Sequence, residues 1–423
     1  MTRSRLYRHA DFRRLWAGQA ISQFGSQVTN LALPLVAVLA LHASAFRVSL
    51  LGMFAMLPYL LFALPAGAWV DRVARRPVLI GADAARAVAL GSIPLATAIA
   101  HVTFVQLCVV GFVAGTMTVF FDVAYQSYLP SLVEQNDLID ANSKLEISRS
   151  GAQIGGPGFA GLLIQWLGAP YAVAVDAVSF AWSALFLQRI RTQETVEPPA
   201  AAPSLRREIG EGLRYLLGDA RWRATTRYSA AANVATGITS PLILVYAVRR
   251  WGLSAGELGL AFMLGNIGWL VGALVAGRIA RVLGLGRALV LGGALAGAPF
   301  FLVPLLPKAE AIPGLAAVQA IWLLGLLIYN VNALTLYQTQ VPARILGRVS
   351  ASRRWIVFGV VALGNVLGGV LASQLGLRSA LFVGASISLV AFTSLLSPAI
   401  RTLATVHGSA LPSVDGRVAV PAE

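Results

Sequence analysis

The chain is a succession of apolar runs separated by short polar segments. About twelve runs approach the roughly 20 residues that a helix needs to cross the hydrocarbon core of a bilayer. A backbone that crosses a bilayer must satisfy its own hydrogen bonds, and runs of this length do so as helices, whereas a membrane β-barrel has alternating segments of about ten residues. The pattern therefore predicts an all-α membrane protein with about twelve transmembrane helices, at residues 15–41, 48–70, 78–100, 102–129, 149–167, 170–188, 228–248, 255–277, 288–306, 313–340, 355–375 and 377–399.

The longest polar interruption, residues 189–227, divides the runs into two sets of six. Prolines end any helix in its first part. From Ser204 to Asp219, leucine and isoleucine recur at helical spacing opposite a charged face, which predicts an amphipathic helix along the membrane surface. We expect four parts: a first six-helix half (1–188), this linker (189–227), a second six-helix half (228–400) and a cytoplasmic tail (401–423).

The two sets of runs carry matching segments. Residues 125–130 (Tyr-Gln-Ser-Tyr-Leu-Pro) correspond to residues 337–342 (Tyr-Gln-Thr-Gln-Val-Pro), 212 positions later, and Gly67 corresponds to Gly277, 210 positions later. Two independent segments with nearly equal offsets indicate duplication of a six-helix unit. Parallel six-helix halves with a substrate site between them are a transporter architecture.

Composition agrees with a membrane location. The chain of 423 residues is 57% hydrophobic and only 12% charged, against about a quarter charged in a typical soluble domain. A net charge of +15 would suggest a nucleic-acid partner in a soluble protein. In a membrane protein, basic residues gather in the cytoplasmic loops instead, so we expect no nucleic-acid partner.

The basic residues are distributed unevenly over the predicted loops. Most lie at the N-terminus, in the even-numbered loops and at the C-terminus. Because positive charge accumulates on the cytoplasmic side of a membrane, this distribution predicts a multi-pass protein with both termini in the cytoplasm. The odd-numbered loops hold only Arg47, Arg249, Arg250, Lys308 and Arg378.

Residues that would hold a metal, a disulfide or a nucleotide are scarce. Cys108 is the only cysteine and the four histidines are scattered, so the sequence indicates no metal cluster and no disulfide framework. Neither Lys144 nor Lys308 lies in the Gly-x-x-x-x-Gly-Lys-Ser/Thr pattern of a nucleotide-binding loop. We therefore expect no cofactor and no enzymatic activity.

A short charged turn, residues 67–76 (Gly-Ala-Trp-Val-Asp-Arg-Val-Ala-Arg-Arg), separates the second and third apolar runs. With the repeat and the linker, it resembles the loop motif of the major facilitator superfamily, although Ala74 replaces a usual glycine. Residues 11–19, 141–146 and 176–180 are similar to segments of the drug (macrolide) and siderophore efflux branch of its proton antiporters. The positions that match the loop motif are Gly67, Asp71, Arg72, Arg75 and Arg76.

This resemblance covers nearly the whole chain and implies the major facilitator fold with secondary active transport. We expect proton-coupled efflux of an amphipathic small molecule, such as a drug, a macrolide or a siderophore, across a bacterial plasma (inner) membrane. The proton gradient would supply the energy. A proton-coupled importer of the same fold is the alternative, because fold does not fix function. We expect the protein to act as a monomer in contact with membrane lipid.

The charged turn has two interpretations. Asp71 lies just beyond a helix end, where it can pair with Arg72 or Arg75 or face a helix N-terminus. Gly67 permits close approach of a neighbouring helix. Such contacts would close the cytoplasmic side and break when the halves move. Alternatively the charges only fix topology, but topology requires no aspartate, which favours a gate. The corresponding loop of the second half has Arg281 in place of the acid.

Charged residues also lie inside the predicted helices, where they are candidates for function. The resemblance implies that Asp122 pairs with the arginines of the loop motif, Arg75 especially, and direct proton transfer is the alternative. Asp83 and Arg86 are three residues apart on one helix face and are expected to neutralise each other. Asp176 has no obvious partner, and it could face a cavity or hydrogen-bond to a neighbouring helix.

The first helix carries a polar stripe that cannot face lipid. Its residues recur at steps of three and four, so they share one face, which either lines a cavity or holds helices together. We prefer the cavity. With polar positions in other helices, it predicts a largely apolar pocket that suits an amphipathic ligand. The candidate cavity-lining residues are Gln23, Ser26, Gln27, Asn30, Tyr125, Asn233, Asn266, Asn330 and Asn365.

Overall fold

The computed structural model describes residues 6, 9–70, 72–99, 101–192, 194 and 205–403, and these residues form helices and no β-strand. The predicted all-α class is confirmed. The α-helices, numbered in chain order, are α1 Ala10–Leu35, α2 Ala45–Val70, α3 Arg75–Ile99, α4 Phe104–Leu132, α5 Leu138–Leu167, α6 Ala169–Gln188, α7 Leu205–Gly218, α8 Ala220–Tyr246, α9 Ala255–Gly265, α10 Ile267–Leu283, α11 Leu285–Gly297, α12 Ala311–Gln340, α13 Ala343–Leu375, α14 Leu377–Thr393 and α15 Pro398–Arg401.

Eleven segments of the described chain are long and apolar enough to cross a membrane, against the twelve or so predicted. One of the eleven combines α9 and α10, which meet at Asn266. The remaining predicted span lies in α5, a continuous helix of 30 residues whose first half is rich in charged residues. α5 packs against α1 and α9, so it belongs to the bundle in spite of its polarity.

Two predicted spans begin about three helical turns after the start of the helices that contain them. The apolar runs at 149–167 and 355–375 lie within α5 and α13, which start at Leu138 and Ala343, about three helical turns earlier. These first turns are polar, so a pattern of apolar runs does not include them. As a result, Arg354, which the pattern of apolar runs places in a loop, lies on α13.

The helices of the bundle form two groups. In the first group, α1 packs on α5 and α6, α3 packs on α4 and α6, and α2 packs on α4. In the second group, α8 packs on α13 and α14, and α10 and α11 pack on α12. We call the end of the bundle where α1 and α8 begin the terminal side, and the opposite end the far side.

Helix α7 lies in the predicted linker, within the stretch whose pattern predicted an amphipathic helix. Ser204, the expected start of that helix, lies outside the described residues. α7 packs on α13, where the carboxylate of Glu211 pairs with Arg348. The two helices are so close that a Cβ added to Gly212 would lie 2.7 Å from the carbonyl oxygen of Arg348. The linker helix is therefore attached to the second group on the terminal side.

Candidate functional site

The hydrophobic cores indicate where the two groups of helices meet. The largest core draws on both groups, for example on Leu35 of α1 and Leu242 of α8. Two smaller cores lie toward the terminal side, and in the described chain each draws on one group alone, apart from Leu216 of α7. The groups therefore share a core on the far side and separate on the terminal side, which leaves a cleft between them.

Small residues join α5 to α9 on the far side. The helices cross at Gly161 and Gly259, so closely that a Cβ added to Gly161 would lie 2.5 Å from the carbonyl oxygen of Ala255. Nearer the middle of the bundle, the side-chain amide of Asn266 donates a hydrogen bond to the carbonyl oxygen of Gln153, at 2.5 Å. Asn266 thus joins the two groups of helices.

Helices α2 and α13 form a second junction. The indole N–H of Trp355 donates to a backbone carbonyl of α2 at 2.9 Å, and Tyr59 stacks on Phe358 with ring centroids 5.1 Å apart. Farther along, a Cβ added to Gly369 would lie 3.0 Å from the ring of Phe46. These contacts run from the middle of the bundle to its far side, so they close that side.

Asp122 of α4 lies in the cleft. Its side chain is exposed to water. Groups from four other helices nevertheless surround it, namely the hydroxyl of Tyr59 and the guanidinium groups of Arg86, Arg149 and Arg354. A residue that is enclosed by helices and still exposed to water lines an internal cleft. We call Tyr59, Asp122, Arg149 and Arg354 the cleft ring.

The members of the cleft ring lie at a similar depth. Asp122 is 10 residues from the terminal-side end of α4, and Tyr59, Arg149 and Arg354 are each 11 residues from the terminal-side ends of α2, α5 and α13. At 1.5 Å per residue this corresponds to about 15–17 Å. The four residues therefore lie at a similar distance from the terminal-side ends of their helices.

Two of the arginines near Asp122 are already paired. Arg149 donates two hydrogen bonds to the carboxylate of Glu146, at 2.8 and 2.9 Å. Arg86 forms an ion pair with Asp83, and both side chains are buried. Its guanidinium also lies 4.6 Å from the ring centre of Phe121 and 4.0 Å from that of another aromatic ring, on α6. The structure therefore places the predicted pair of Asp83 and Arg86 in direct contact.

Asp176 of α6 is buried rather than exposed to the cleft. Thr29 of α1 donates a hydrogen bond to one carboxyl oxygen at 2.5 Å, and Ser179 donates to the other at 2.9 Å. A Cβ added to Gly25 would lie 2.5 Å from the same carboxyl group, so α1 and α6 are in close contact here. Of the two possibilities left open by the sequence, this geometry matches a hydrogen bond to a neighbouring helix.

In the charged turn, Asp71 lies outside the described residues, so the structure describes neither a pair nor a gate for it. The backbone N–H groups of Arg75 and Arg76 donate to the carboxylate of Glu194, at 2.6 and 2.7 Å. The guanidinium of Arg76 donates to backbone carbonyls of α6, including that of Gln188 at 2.5 Å. Glu194, which follows α6, thus caps the start of α3, and the side chain of Arg76 in α3 caps the end of α6.

Two expectations for the turn do not match this conformation. The expected partner of Asp122, Arg75, is not among the charged groups that surround the Asp122 carboxyl. Arg72 is exposed, and no heavy atom of the described chain lies within 4 Å of a Cβ added to Gly67. The physical reason is that the two groups of helices are separated on the terminal side, so within the described chain no neighbouring helix contacts Gly67.

Asp11, at the start of α1, binds the chain segment that follows α6. Its carboxylate accepts hydrogen bonds from the backbone N–H groups of Arg191 and Thr192, both at 3.1 Å, just after α6. The guanidinium of Arg14 donates to the carbonyl oxygen of Arg189 at 2.7 Å. The segment that begins at residue 11 therefore fixes the end of α6 against the start of α1.

The candidate cavity-lining residues fall into two sets. Asn365 is buried, and its side chain lies against Gly52 of α2, so it packs two helices together and does not line the cavity. Asn266 likewise joins helices, and Tyr125 stacks on Phe121. Asn30 is exposed, and the remaining candidates are partly exposed, namely Gln23, Ser26, Gln27, Asn233 and Asn330.

Sequence reasoning missed three members of the cleft ring and the cap formed by Glu194. Arg354 directly precedes the predicted apolar run 355–375, and Arg149 is the first residue of the run 149–167, so at either end position a basic residue matches the role of a topology determinant. The signal that could have found them is the absence of a helix breaker between each arginine and the run that follows. Tyr59 and Glu194 have no comparable signal, because their roles depend on packing between distant segments.

Two groups of packed membrane helices with a water-accessible polar cleft between them define a membrane transporter. The chain belongs to the Major Facilitator Superfamily, whose sequence model matches residues 15–361. It is accordingly a multi-pass membrane transporter and not an enzyme.

Comparisons with individual proteins agree with this assignment. The chain is 29% identical to the multidrug efflux pump Tap of Mycolicibacterium fortuitum, over 84% of this chain and 87% of Tap. It is 22% identical to macrolide efflux protein A of Streptococcus pyogenes, over 87% of this chain and 90% of that protein. A bacterial homologue of the iron transporter ferroportin in an inward-facing state superposes with a TM-score of 0.73 at 16% identity, covering 91% of this chain and 98% of that one. A bacterial homologue of ferroportin in an outward-facing state superposes with a TM-score of 0.61 at 17% identity, again covering 91% of this chain and 98% of that one.

Proposed function

We propose that this protein is a proton-coupled exporter of amphipathic small molecules in the plasma membrane of a bacterium. The observation that carries the proposal is the position of Asp122, a carboxylate exposed to water in a cleft that is closed on the far side. The similarity to relatives named as multidrug and macrolide efflux proteins favours export over import.

The proposed mechanism alternates the open side of the cleft. The terminal side faces the cytoplasm, with both termini there, so the present conformation is the one that loads substrate from inside the cell. The higher structural similarity to an inward-facing transporter supports this assignment. Rocking of the two groups of helices about the cleft ring would then close the terminal side of the cleft and open its far side.

Asp122 provides a physical basis for coupling. A bare carboxylate is costly to enclose within a membrane protein, so closure over Asp122 requires a proton or a cationic partner. A proton and the cationic group of a substrate therefore compete for the same carboxylate. Because the carboxylate holds either the substrate or the proton, it carries them in separate steps. An exchanger requires this, since the substrate moves outward and the proton moves inward.

The remaining properties follow from the same proposal. The proton gradient supplies the energy and no bound cofactor takes part. The amphipathic substrate and membrane lipid are the partners, nucleic acid is not, and the protein acts as a monomer. The chain is organised as the two halves 1–188 and 228–400, joined by the linker 189–227 and followed by the tail 401–423.

Reconstitution into lipid vesicles with an imposed pH gradient tests the proposal. The probes are ethidium and erythromycin. An exchanger concentrates them in vesicles that are acidic inside, a protonophore abolishes the accumulation, and Asp122→Asn removes it while Glu310→Gln, at an exposed helix end, does not. Accumulation driven only by an acidic exterior would indicate import instead. Gradient-driven accumulation that is unchanged in Asp122→Asn would exclude the assigned role of that residue.

A further inference from the structure

Asp122 and Arg354 belong to opposite groups of helices and face the same cleft. Asp122 lies on α4 and Arg354 on α13, both side chains are exposed to water, and the guanidinium is among the charges that act on the carboxyl group. The two residues are not in ion-pair contact, since no ion pair within 4.0 Å joins them in the described chain. They therefore present opposite charges on opposing walls at one depth.

The other charges at this depth are already compensated. Arg149 is held by two hydrogen bonds to Glu146. Arg86 is paired with Asp83 in a buried position. The guanidinium of the neighbouring Arg353 lies over the ring of an aromatic residue on α12, 4.9 Å from its centre. Within the described chain, this leaves one carboxylate and one guanidinium of the cleft without a direct ionic partner.

The surfaces near the two charges are apolar and aromatic. Tyr59 approaches Asp122 through its hydroxyl, and its ring stacks on that of Phe358, one turn from Arg354 on α13. Phe120, two residues before Asp122 in α4, contacts the rings of Phe62 and Trp69 of α2, with centroids 6.4 and 5.4 Å apart. A ligand that reaches both charges would therefore place its body against aromatic rings.

We propose that the cleft selects amphipathic zwitterions, with the cationic group of the ligand at Asp122 and its anionic group at Arg354. This inference rests on the proposed function and names the substrate class of the same site. A ligand with both charges compensates the carboxylate of Asp122 and the guanidinium of Arg354 when the cleft closes. A ligand with only a cationic group leaves the guanidinium of Arg354 enclosed without a partner, which is costly in a membrane interior. Arginine also suits this role because its planar fork matches a carboxylate.

Equilibrium binding to the purified full-length protein in detergent tests this selectivity without any gradient. The probes share one skeleton: norfloxacin, which is a zwitterion, its ethyl ester, which keeps only the amine charge, and its N-acetyl derivative, which keeps only the carboxylate. Fluorescence anisotropy of the quinolone ring gives the dissociation constants. We expect the zwitterion to bind at least about tenfold tighter than either derivative, as one compensated charge is typically worth 1.4 kcal/mol or more.

Variants assign each charge to its residue. Arg354→Gln should weaken norfloxacin about tenfold and leave the ethyl ester unchanged, whereas Arg354→Lys should keep the preference for the zwitterion. Asp122→Asn should weaken norfloxacin and the ester and leave the N-acetyl derivative unchanged. Arg353→Gln, which alters the adjacent residue, should leave the binding of all three probes unchanged.

Two results would overturn the inference. One is equal affinity of the wild-type protein for the three probes. The other is an equal loss of affinity for all three probes in Arg354→Gln protein that remains monodisperse. The second result would instead assign Arg354 to an ion pair with Asp122 that closes the cleft. Selective binding in a protein that fails to concentrate substrate under a pH gradient would overturn the proposed coupling and leave the zwitterion selectivity standing.

Discussion

Arg86 forms an ion pair with Asp83 one helical turn away on α3, and the two side chains are only 7% and 1% exposed. Breaking a buried pair by removing one partner leaves an uncompensated charge, which typically costs 3–5 kcal/mol. We therefore expect Arg86→Met and Asp83→Leu each to reduce the free energy of unfolding by about this amount. Chemical denaturation of the purified protein in detergent, followed by tryptophan fluorescence, would measure the loss.

Two further variants make this prediction specific. The double variant Asp83→Leu with Arg86→Met should regain most of the lost stability, because no charge then remains buried. Glu146→Gln breaks a pair whose side chains are about half exposed, 48% and 55%, and should cost less than about 1 kcal/mol. A double variant as unstable as the single ones would contradict the assigned cause.

The carboxylate of Glu194 caps the start of α3 by accepting the backbone N–H groups of Arg75 and Arg76. The first N–H groups of a helix have no partner within the helix, and loss of a side-chain cap typically costs 0.5–2 kcal/mol. We expect Glu194→Ala to speed amide hydrogen exchange in the first turn of α3. Glu310→Ala, at a helix start without a side-chain cap, is the control and should change nothing. Equal exchange in both variants would mean that the cap does not stabilise α3.

The sequence predicts the bundle and the charged pair more completely than it predicts the cleft. Apolar runs determine which segments enter the membrane, and the spacing of Asp83 and Arg86 follows from helix geometry alone. The ring around Asp122 instead combines α2, α4, α5 and α13, and which faces of these helices meet is decided by packing. Arg354 illustrates the difference, because hydropathy assigned it to a loop and the helix that begins at Ala343 places it in the cleft.

The crossing of α5 and α9 at Gly161 and Gly259 should control which side of the cleft is open. A Cβ added to Gly161 would lie 2.5 Å from the carbonyl oxygen of Ala255, and overpacking of this kind typically costs 1–3 kcal/mol. Gly161→Ala should therefore disfavour the present conformation by about fivefold or more. The measurement is labelling of Gln126→Cys, which is exposed on α4, by a membrane-impermeant thiol reagent in protein with Cys108 replaced by alanine.

A variant on the same helix controls for the added methyl group. A Cβ at Gly155 would lie 4.0 Å from its nearest neighbour, a carbon of Phe24, so Gly155→Ala should leave the labelling unchanged. Labelling that is equally fast in both variants would mean that the far-side crossing does not restrict the motion.

Asp219 should stabilise the start of α8 in a pH-dependent manner. The guanidinium of Arg221 and its backbone N–H both donate to the carboxylate, and they hold the pKa of Asp219 below its usual value of 3.8. A lowered pKa in the folded state means that the stabilisation is complete above the unfolded pKa and is lost as the pH falls through the folded pKa. We expect Asp219→Asn to unfold at a lower temperature than the wild type at pH 7 and 5, with a difference that shrinks below about pH 4. A difference that grows toward low pH would contradict this account.

Asp176 and Asp122 should differ in their importance for coupling, although both carboxylates lie within membrane-spanning helices. Asp176 is 1% exposed and accepts hydrogen bonds from Thr29 and Ser179, whereas Asp122 is open to the water of the cleft. Because Asp176 has no contact with that water, it cannot exchange a proton with the cleft in this conformation. We expect Asp176→Asn, which keeps the shape of the side chain, to retain pH-driven accumulation of ethidium, and Asp122→Asn to lose it. Thr29→Val, which removes a donor to Asp176, should likewise retain accumulation. Loss of pH-driven accumulation in Asp176→Asn, with substrate exchange at equal pH intact, would transfer the coupling role from Asp122 to Asp176.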